Sequence, residues 1–346
     1  MHAVQFAAHG DRDVIEYAEV PDPEPGPGEV LVDVKAGALN HLDLWTRRGL
    51  PGIDLEMPHT PGSDAAGVVA DVGTNVDRFG RGDRVAVAAG TSCGTCEFCR
   101  DGDPTLCPDF AIIGEHRPGV HAELATVPAE NLVPVPEGVD WTTAAAAPLV
   151  FGTAWRMLHT RADVTAGERV LVLGASGGVG HAAVQIAAHA GCEVFATAST
   201  APKREHAADC GADHVIDYEA TDFADRVREL TDGRGVDVVV DHIGAATYPD
   251  SLVSLAKGGR LVTCGATTGP NPDAGLNRIF WNQLSVIGST MATPGELDDV
   301  LELVWDGTLE PRIRETLPMS ETAAAHRLLE NREGFGKVAV IPDSER

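Results

Sequence analysis

The chain has 346 residues, 43% of them hydrophobic and 23% charged, the composition of a globular protein too long for one ordinary core. Its 52 acidic against 26 basic residues give a formal net charge of −26, which argues against nucleic acid or anionic lipid as a partner. No apolar run reaches the ~18 residues of a membrane span, and the opening "MHAVQFAAHGDRDV" lacks the basic-then-apolar order of an export signal. The acids are scattered, and lysine occurs only at Lys35, Lys203, Lys257 and Lys337. Such a surface suits a salt-rich cytoplasm, where self-repulsion is screened within ~3 Å at 1 M salt. The expectation is a halophilic, cytoplasmic protein.

Residues 1 to about 130 carry short valine-rich runs broken by Gly and Pro, among them "EVLVDVKAGAL", "AAGVVADVG", "GDRVAVAAG" and "HAELATVP". This pattern predicts a compact β domain. Within it, "AGALNHLDLWTRRG" packs Asn40, His41 and Asp43 into four positions, the make-up of an active-site rim. Trp45, Arg47 and Arg48 follow, able to meet an acyl or phosphate-bearing substrate or else forming a solvated loop.

Cys93, Cys96, Cys99 and Cys107 come next at C-x2-C-x2-C-x7-C. Without an export signal, clustered thiols read as a metal site, and four thiolates suit tetrahedral zinc. A shell of four leaves no open position, so one structural Zn2+ per chain is expected. An iron–sulfur cluster is the alternative.

The segment 142–158, "TTAAAAPLVFGTAWRML", predicts a helix. From residue 168 strands and helices alternate to "LSVIGSTM", which implies a parallel sheet with right-handed crossovers. Its first unit, "RVLVLGASGGVG", is a strand, a glycine loop and a helix start, with Gly174, Gly177 and Gly180 at G-x-x-G-x-x-G. In that setting the loop, including Ser176, Gly178 and Val179, is a dinucleotide pyrophosphate site. The second strand ends in Ala198 and Ser199, where an NAD site places an acid, and Lys203 and Arg204 follow. A missing carboxylate beside cations predicts NADP(H), with Tyr218 closing the pocket. The other reading of those cations is a solvated helical turn. Two helices and the strand "GKVAVIP" complete the chain.

Together the β domain, the four-cysteine lobe, "GASGGVG", "VDVVVDHIG" and "FGKVAVIP" resemble the medium-chain dehydrogenase/reductase superfamily, the zinc-containing alcohol dehydrogenase and quinone oxidoreductase group. The resemblance implies an α/β protein: a GroES-like, β-rich catalytic domain (1–150 and 290–346, with the zinc lobe at 90–110) and a Rossmann domain with a doubly wound parallel sheet (151–289). The active site is expected in the cleft between them. It also implies that Thr153, Gly265 and Ser289 line the cofactor. In the alcohol dehydrogenase branch a catalytic zinc has ligands where this chain has Asn40, Ser63 and Leu149, so that metal is not expected. Regrouping of His41, Asp43, His59 and Asp64 around a relocated ion is the escape. Asn40 with Asp43 resembles instead the N-x-x-D of the metal-independent quinone and enoyl reductases.

The expected activity is NADPH-dependent reduction of an activated C=C or a quinone. Asn40 stabilises developing negative charge, His41 is a candidate proton donor, Asp43 orients Asn40, and Asp64 takes part or pairs with an arginine. The alternatives are an alcohol or polyol dehydrogenase with relocated zinc and a weakly catalytic NADPH-binding sensor or structural protein. The expected partners are a small-molecule substrate and further copies of the chain, as a homodimer or homotetramer in which "LSVIGST" pairs edge to edge.

Overall fold

A computed structural model describes residues 1–345. The chain divides into two units, Met1–Leu149 with the segment from Thr293 onward, and Val150–Ala292. Among the described residues no helix is long and apolar enough to cross a membrane.

The first unit opens with an antiparallel pair, β1 (His2–Gln5) and β2 (Glu16–Glu19). In β3 (Glu29–Ala38) every second residue from Val30 to Val34 is buried, as a half-covered strand requires. Helix α1 (His41–Arg48) follows, with Asp43 in its first turn and Arg47 and Arg48 in its last, matching the helix dipole. Then come β4 (Asp64–Val72), β5 (Arg84–Val87), β6 (Gly90–Thr91), α2 (Glu97–Arg100), β7 (Ala111–Ile112), β8 (Leu124–Pro128), β9 (Leu132–Pro134) and α3 (Trp141–Ala146).

The helix expected over 142–158 is broken. Helix α3 stops at Ala146, and α4 (Pro148–Trp155) restarts at a proline, which lacks the N–H needed to continue. A π-helical turn over Arg156–Arg161 follows. The second unit then alternates as expected: β10 (Arg169–Val172), α5 (Gly178–His189), β11 (Glu193–Ala198), α6 (Ala201–Asp209), β12 (His214–Asp217), α7 (Phe223–Leu230), β13 (Val236–Val240), α8 (Tyr248–Ser254), β14 (Leu255–Thr263), α9 (Leu276–Asn282) and β15 (Ser285–Gly288). Its six strands are all parallel, in the order β12-β11-β10-β13-β14-β15. The order reverses beside β10, and ligands of such sheets bind at the strand C-terminal ends there. Leu171, Phe195, Val239 and Leu261 form its core.

The chain returns to the first unit through α10 (Pro294–Trp305), β16 (Ile313–Pro318), α11 (Thr322–Glu330) and β17 (Lys337–Ile341). The sheet runs β16-β17-β3-β4-β5-β9, with β8 also on β3. Val30, Val32, Val69, Val85 and Val338 interdigitate beneath it. Two registers matter for chemistry: Ala38 of β3 faces Asp64 of β4 on one side and Ala339 of β17 on the other. The start of α1, Asp64 and Lys337 therefore meet at one end of three neighbouring strands.

Candidate active site

Asn40 ends the extended run from β3 and caps α1, with φ −127° and ψ 162°. Its backbone N–H donates to Asp43 Oδ2 at 2.7 Å, and the Asp43 N–H donates back to the Asn40 carbonyl at 3.1 Å. The Asn40 side chain turns away to a buried cluster. Its Nδ2 donates to Asp64 Oδ2 at 2.9 Å, and its Oδ1 accepts from Lys337 Nζ at 2.6 Å. Lys337 Nζ also donates to Asp64 Oδ2 at 2.9 Å, and Asp64 Oδ1 accepts the Leu149 N–H at 3.1 Å. The ion pair is almost dry: Lys337 is 3% and Asp64 0% exposed. Asp43 is equally buried, and burial pushes its carboxyl up to about 7 against the pull of the Asn40 N–H and the Lys337 charge.

His121 is also fully buried, close enough to feel the Lys337 charge. Its ring lies so near Gly62, whose φ is +104°, that a Cβ there would come within 2.3 Å. Burial, then the Lys337 charge, lowers its pKa to about 4, so it is neutral, and both ring nitrogens are buried.

The glycine loop lies where β10 gives way to α5. Gly174 has φ +60°, and a Cβ on Gly180 would come within 2.1 Å of the Gly174 carbonyl oxygen, so the loop folds tightly against the helix start. Gly177 caps α5, whose first N–H groups at Gly178, Val179 and Gly180 have no partner within the helix. Ser176 lies in the half-exposed bend before the cap. Thr153 Oγ1 and Ser289 Oγ are buried without a partner, and Ser289 is tied to the β14 end by its N–H on Thr263 O at 2.8 Å. The Thr263 hydroxyl in turn donates to the Gly265 carbonyl at 3.0 Å. A tight glycine turn, an open helix start and two orphaned hydroxyls fit a dinucleotide. At the β11 end Ser199 is buried, and its carbonyl accepts from Arg204, which also pairs with Asp217 of β12. Arg204 is thus held in place by structure. Lys203 stands beside it in α6, and Tyr218 is exposed just past β12.

In the cysteine lobe the sulfurs of Cys93, Cys96, Cys99 and Cys107 all lie within 4.8 Å of one another. Tetrahedral Zn–S bonds of about 2.3 Å require sulfurs about 3.8 Å apart, so the set fits that ion. The Cys96 N–H points at Cys93 Sγ, 3.3 Å away, and the Cys93 N–H at Cys107 Sγ, 3.4 Å away. Hydrogen bonds from Thr95 and Cys96 lower the Cys93 pKa to about 6.

Residues 26–137 match the family model described as alcohol dehydrogenase GroES-like domain, and residues 178–306 the one described as zinc-binding dehydrogenase. Acryloyl-coenzyme A reductase of Sulfurisphaera tokodaii is 32% identical over 96% of this chain and 98% of its own length. The chain belongs to the medium-chain dehydrogenase/reductase superfamily. A solved structure of an NAD-dependent alcohol dehydrogenase superposes on this oxidoreductase with a TM-score of 0.95, at 44% identity over 99% of each chain. A crotonyl-CoA carboxylase/reductase solved in complex with NADP gives 0.92, at 28% identity over 99% of this chain and 95% of that one.

In this medium-chain oxidoreductase the positions of the superfamily's catalytic zinc ligands hold no metal-binding set. Asn40 is occupied as described, the Ser63 hydroxyl donates to the Ile113 carbonyl at 2.6 Å, and Leu149 offers only carbon. The relocated set does not assemble either. One His59 ring nitrogen bonds the Gly114 carbonyl at 3.1 Å, His41 is exposed with its ring 6.3 Å from Trp45, and Asp64 already carries an ammonium. Among the described residues the four cysteines alone form a metal-competent group.

Two expectations need correcting. Asp64 pairs with a lysine, not an arginine. Arg47 is neither a solvated residue nor a substrate contact: it is 1% exposed and bonded to Gly10 O, His326 Nδ1 and Glu330. The residue that the sequence reading missed is Lys337. Its signal was a lone cation, in a chain with four lysines, opening an apolar strand.

Proposed function

We propose that the protein is an NADPH-dependent reductase of alkenes conjugated to a carbonyl: enoyl thioesters such as acrylyl-CoA, enones, or quinones. The observation that carries this reading is the Asn40 amide held between Asp64 and Lys337 where the alcohol dehydrogenase branch would hold zinc. Alcohol oxidation needs a Lewis acid to acidify the hydroxyl. Reduction of a conjugated alkene needs only donors for the oxygen on which charge grows. When bound, NADPH would supply a hydride for the β carbon of a conjugated alkene, and solvent would supply the proton for its α carbon. Asn40 offers its N–H to the carbonyl oxygen, and Asp43 holds the Asn40 backbone. Gly174, Gly177 and Gly180 with the α5 start take the pyrophosphate. Ser199, Lys203 and Tyr218 take the 2′-phosphate, supported by the missing acid at the β11 end.

In this reading the cysteine lobe carries one structural zinc. Copies of the chain pair through the β15 edge, where α9 leaves Leu276, Phe280 and Trp281 exposed beside Val286. Elemental analysis beside an NADPH-oxidation panel tests the proposal. One zinc per chain with turnover of acrylyl-CoA, cyclohexenone or a quinone supports it. Two metal ions per chain with oxidation of alcohols overturns it, and tight NADPH binding without turnover points to a sensor. Lys203→Glu is expected to raise KM for NADPH far more than for NADH; equal effects would refute the 2′-phosphate assignment.

A further inference from the structure

The Asn40 amide sits between two partners with opposite demands. Lys337 Nζ has protons and no lone pair, so the atom it meets at 2.6 Å is the amide oxygen. Asp64 Oδ2 is an acceptor, so the atom it meets at 2.9 Å is the amide nitrogen. The reverse amide would set an NH2 against an ammonium and a carbonyl oxygen against a carboxylate, two repulsive contacts in a dry site. Lys337 and Asp64 also bind each other at 2.9 Å, so each side chain faces a partner of opposite charge in the dry site. Asn40 Nδ2 carries two protons, and Asp64 takes one. One N–H is left over, with a fixed direction.

Resting on the reductase reading above, we propose that Lys337 is a positioning residue: it locks Asn40 in the orientation that presents an N–H, and not a carbonyl oxygen, to the substrate. The substrate class follows from that polarity. A carbonyl or enolate oxygen accepts the N–H and binds more strongly as its charge grows. An alcohol hydroxyl needs an acceptor for its proton and finds none in this amide. Lys337 comes from the C-terminal strand and Asn40 from the loop after β3, so the lock also ties α1 to β17, 297 positions away in the sequence.

The test uses the full chain with NADPH, cyclohexenone and acrylyl-CoA, together with NMR of side-chain amides in protein labelled with 15N at asparagine. The chain has seven asparagines, and the Asn40 pair is the one absent from Asn40→Asp. Asn40→Asp keeps an acceptor for Lys337 and loses every N–H, so kcat is expected to fall about 100-fold or more with KM for NADPH unchanged. Lys337→Met is expected to lower kcat comparably and to collapse the separation of the two Asn40 amide protons. Lys337→Arg, a cation that only donates, is expected to restore most of both. If Lys337→Met does not fold, Lys337→Gln replaces it, since an amide that donates or accepts loosens the lock without leaving a gap.

Wild-type kcat in Asn40→Asp overturns the proposal. So do Asn40 amide signals that stay unchanged when Lys337 is replaced by Met or Gln, whatever the substrate. Failure of the wild-type protein to reduce any conjugated carbonyl defeats the reductase reading instead, while the amide spectrum still decides the lock.

Discussion

Asp43 predicts a pH dependence whose sign and size follow from its surroundings. The carboxyl is fully buried, and its Oδ2 takes the Asn40 N–H at 2.7 Å. Burial lifts its pKa from 3.8 to about 7. A carboxyl that holds its proton more tightly when folded makes its largest contribution to stability below the unfolded value. That contribution is lost as pH rises through the folded value, because the ionised group is then left in a dry site. The window therefore runs from about 4 to about 7. At about 1.4 kcal/mol per unit, the ionised form costs on the order of 4 kcal/mol once the pH is above neutral. Asp43→Asn keeps an acceptor for the Asn40 N–H and cannot ionise. Relative to the parent, the variant is expected to gain stability steadily from about pH 4 to about pH 7 and no further, by as much as a few kcal/mol. Because the chain has two units, the readout is native-state hydrogen exchange of the α1 amides, which reports local opening directly. A variant-minus-parent difference that is flat across this range would refute the assignment of the pH dependence to Asp43.

Five further outcomes are expected. Gly180→Ala drives a methyl to 2.1 Å from the Gly174 carbonyl oxygen; KM for NADPH should rise about tenfold or more, worth at least 1.4 kcal/mol, with kcat changed less, as steady-state kinetics will show. Cys107→Ser should lose zinc in elemental analysis and lose exchange protection between Cys93 and Cys107, while kcat is nearly kept. Arg47→Met removes the bonds to Gly10, His326 and Glu330; a loss of about 3–5 kcal/mol is expected by denaturation. In the same variant the His326 pKa, held at about 3 by burial and then by Arg47, should rise in NMR titration. Thermal midpoints should climb with KCl into the molar range, and equal stability at low and molar salt would refute the halophilic reading.

The second unit was the more legible in the sequence, because each of its elements announces itself locally. A buried parallel strand is an apolar run such as "RVLVL", and a glycine loop opening a helix has few other uses. Its boundaries are less legible: β14 starts at Leu255, directly after α8 ends at Ser254, and its pairing with β13 slips between Val236 and Val238. The first unit hid more. Helix α1 is eight residues long and half polar, and its buried face includes Asp43, Thr46 and Arg47, which no hydrophobic pattern marks. Arg47 is inside because Glu330 and His326 of α11 receive it, a match made across roughly 280 positions.

The candidate site divides along the same line. Asn40 and Asp43 lie three apart and meet through helix capping, so sequence reasoning finds them together. Asp64 and Lys337 reach Asn40 only because β4 and β17 flank β3 in one sheet, and strand order is a property of topology that spacing does not encode. The residue types still carried part of the answer. Asn40, Ser63 and Leu149 argue against a zinc shell. An Asp buried beside them then had to be compensated, since an unpaired carboxylate in a dry site is too costly to keep. A compensating cation was therefore required by the same reasoning that removed the metal. An arginine was the expectation. Lysine answers the geometry better, because a compact ammonium can bond Asn40 Oδ1 and Asp64 Oδ2 from a single atom, at 2.6 and 2.9 Å.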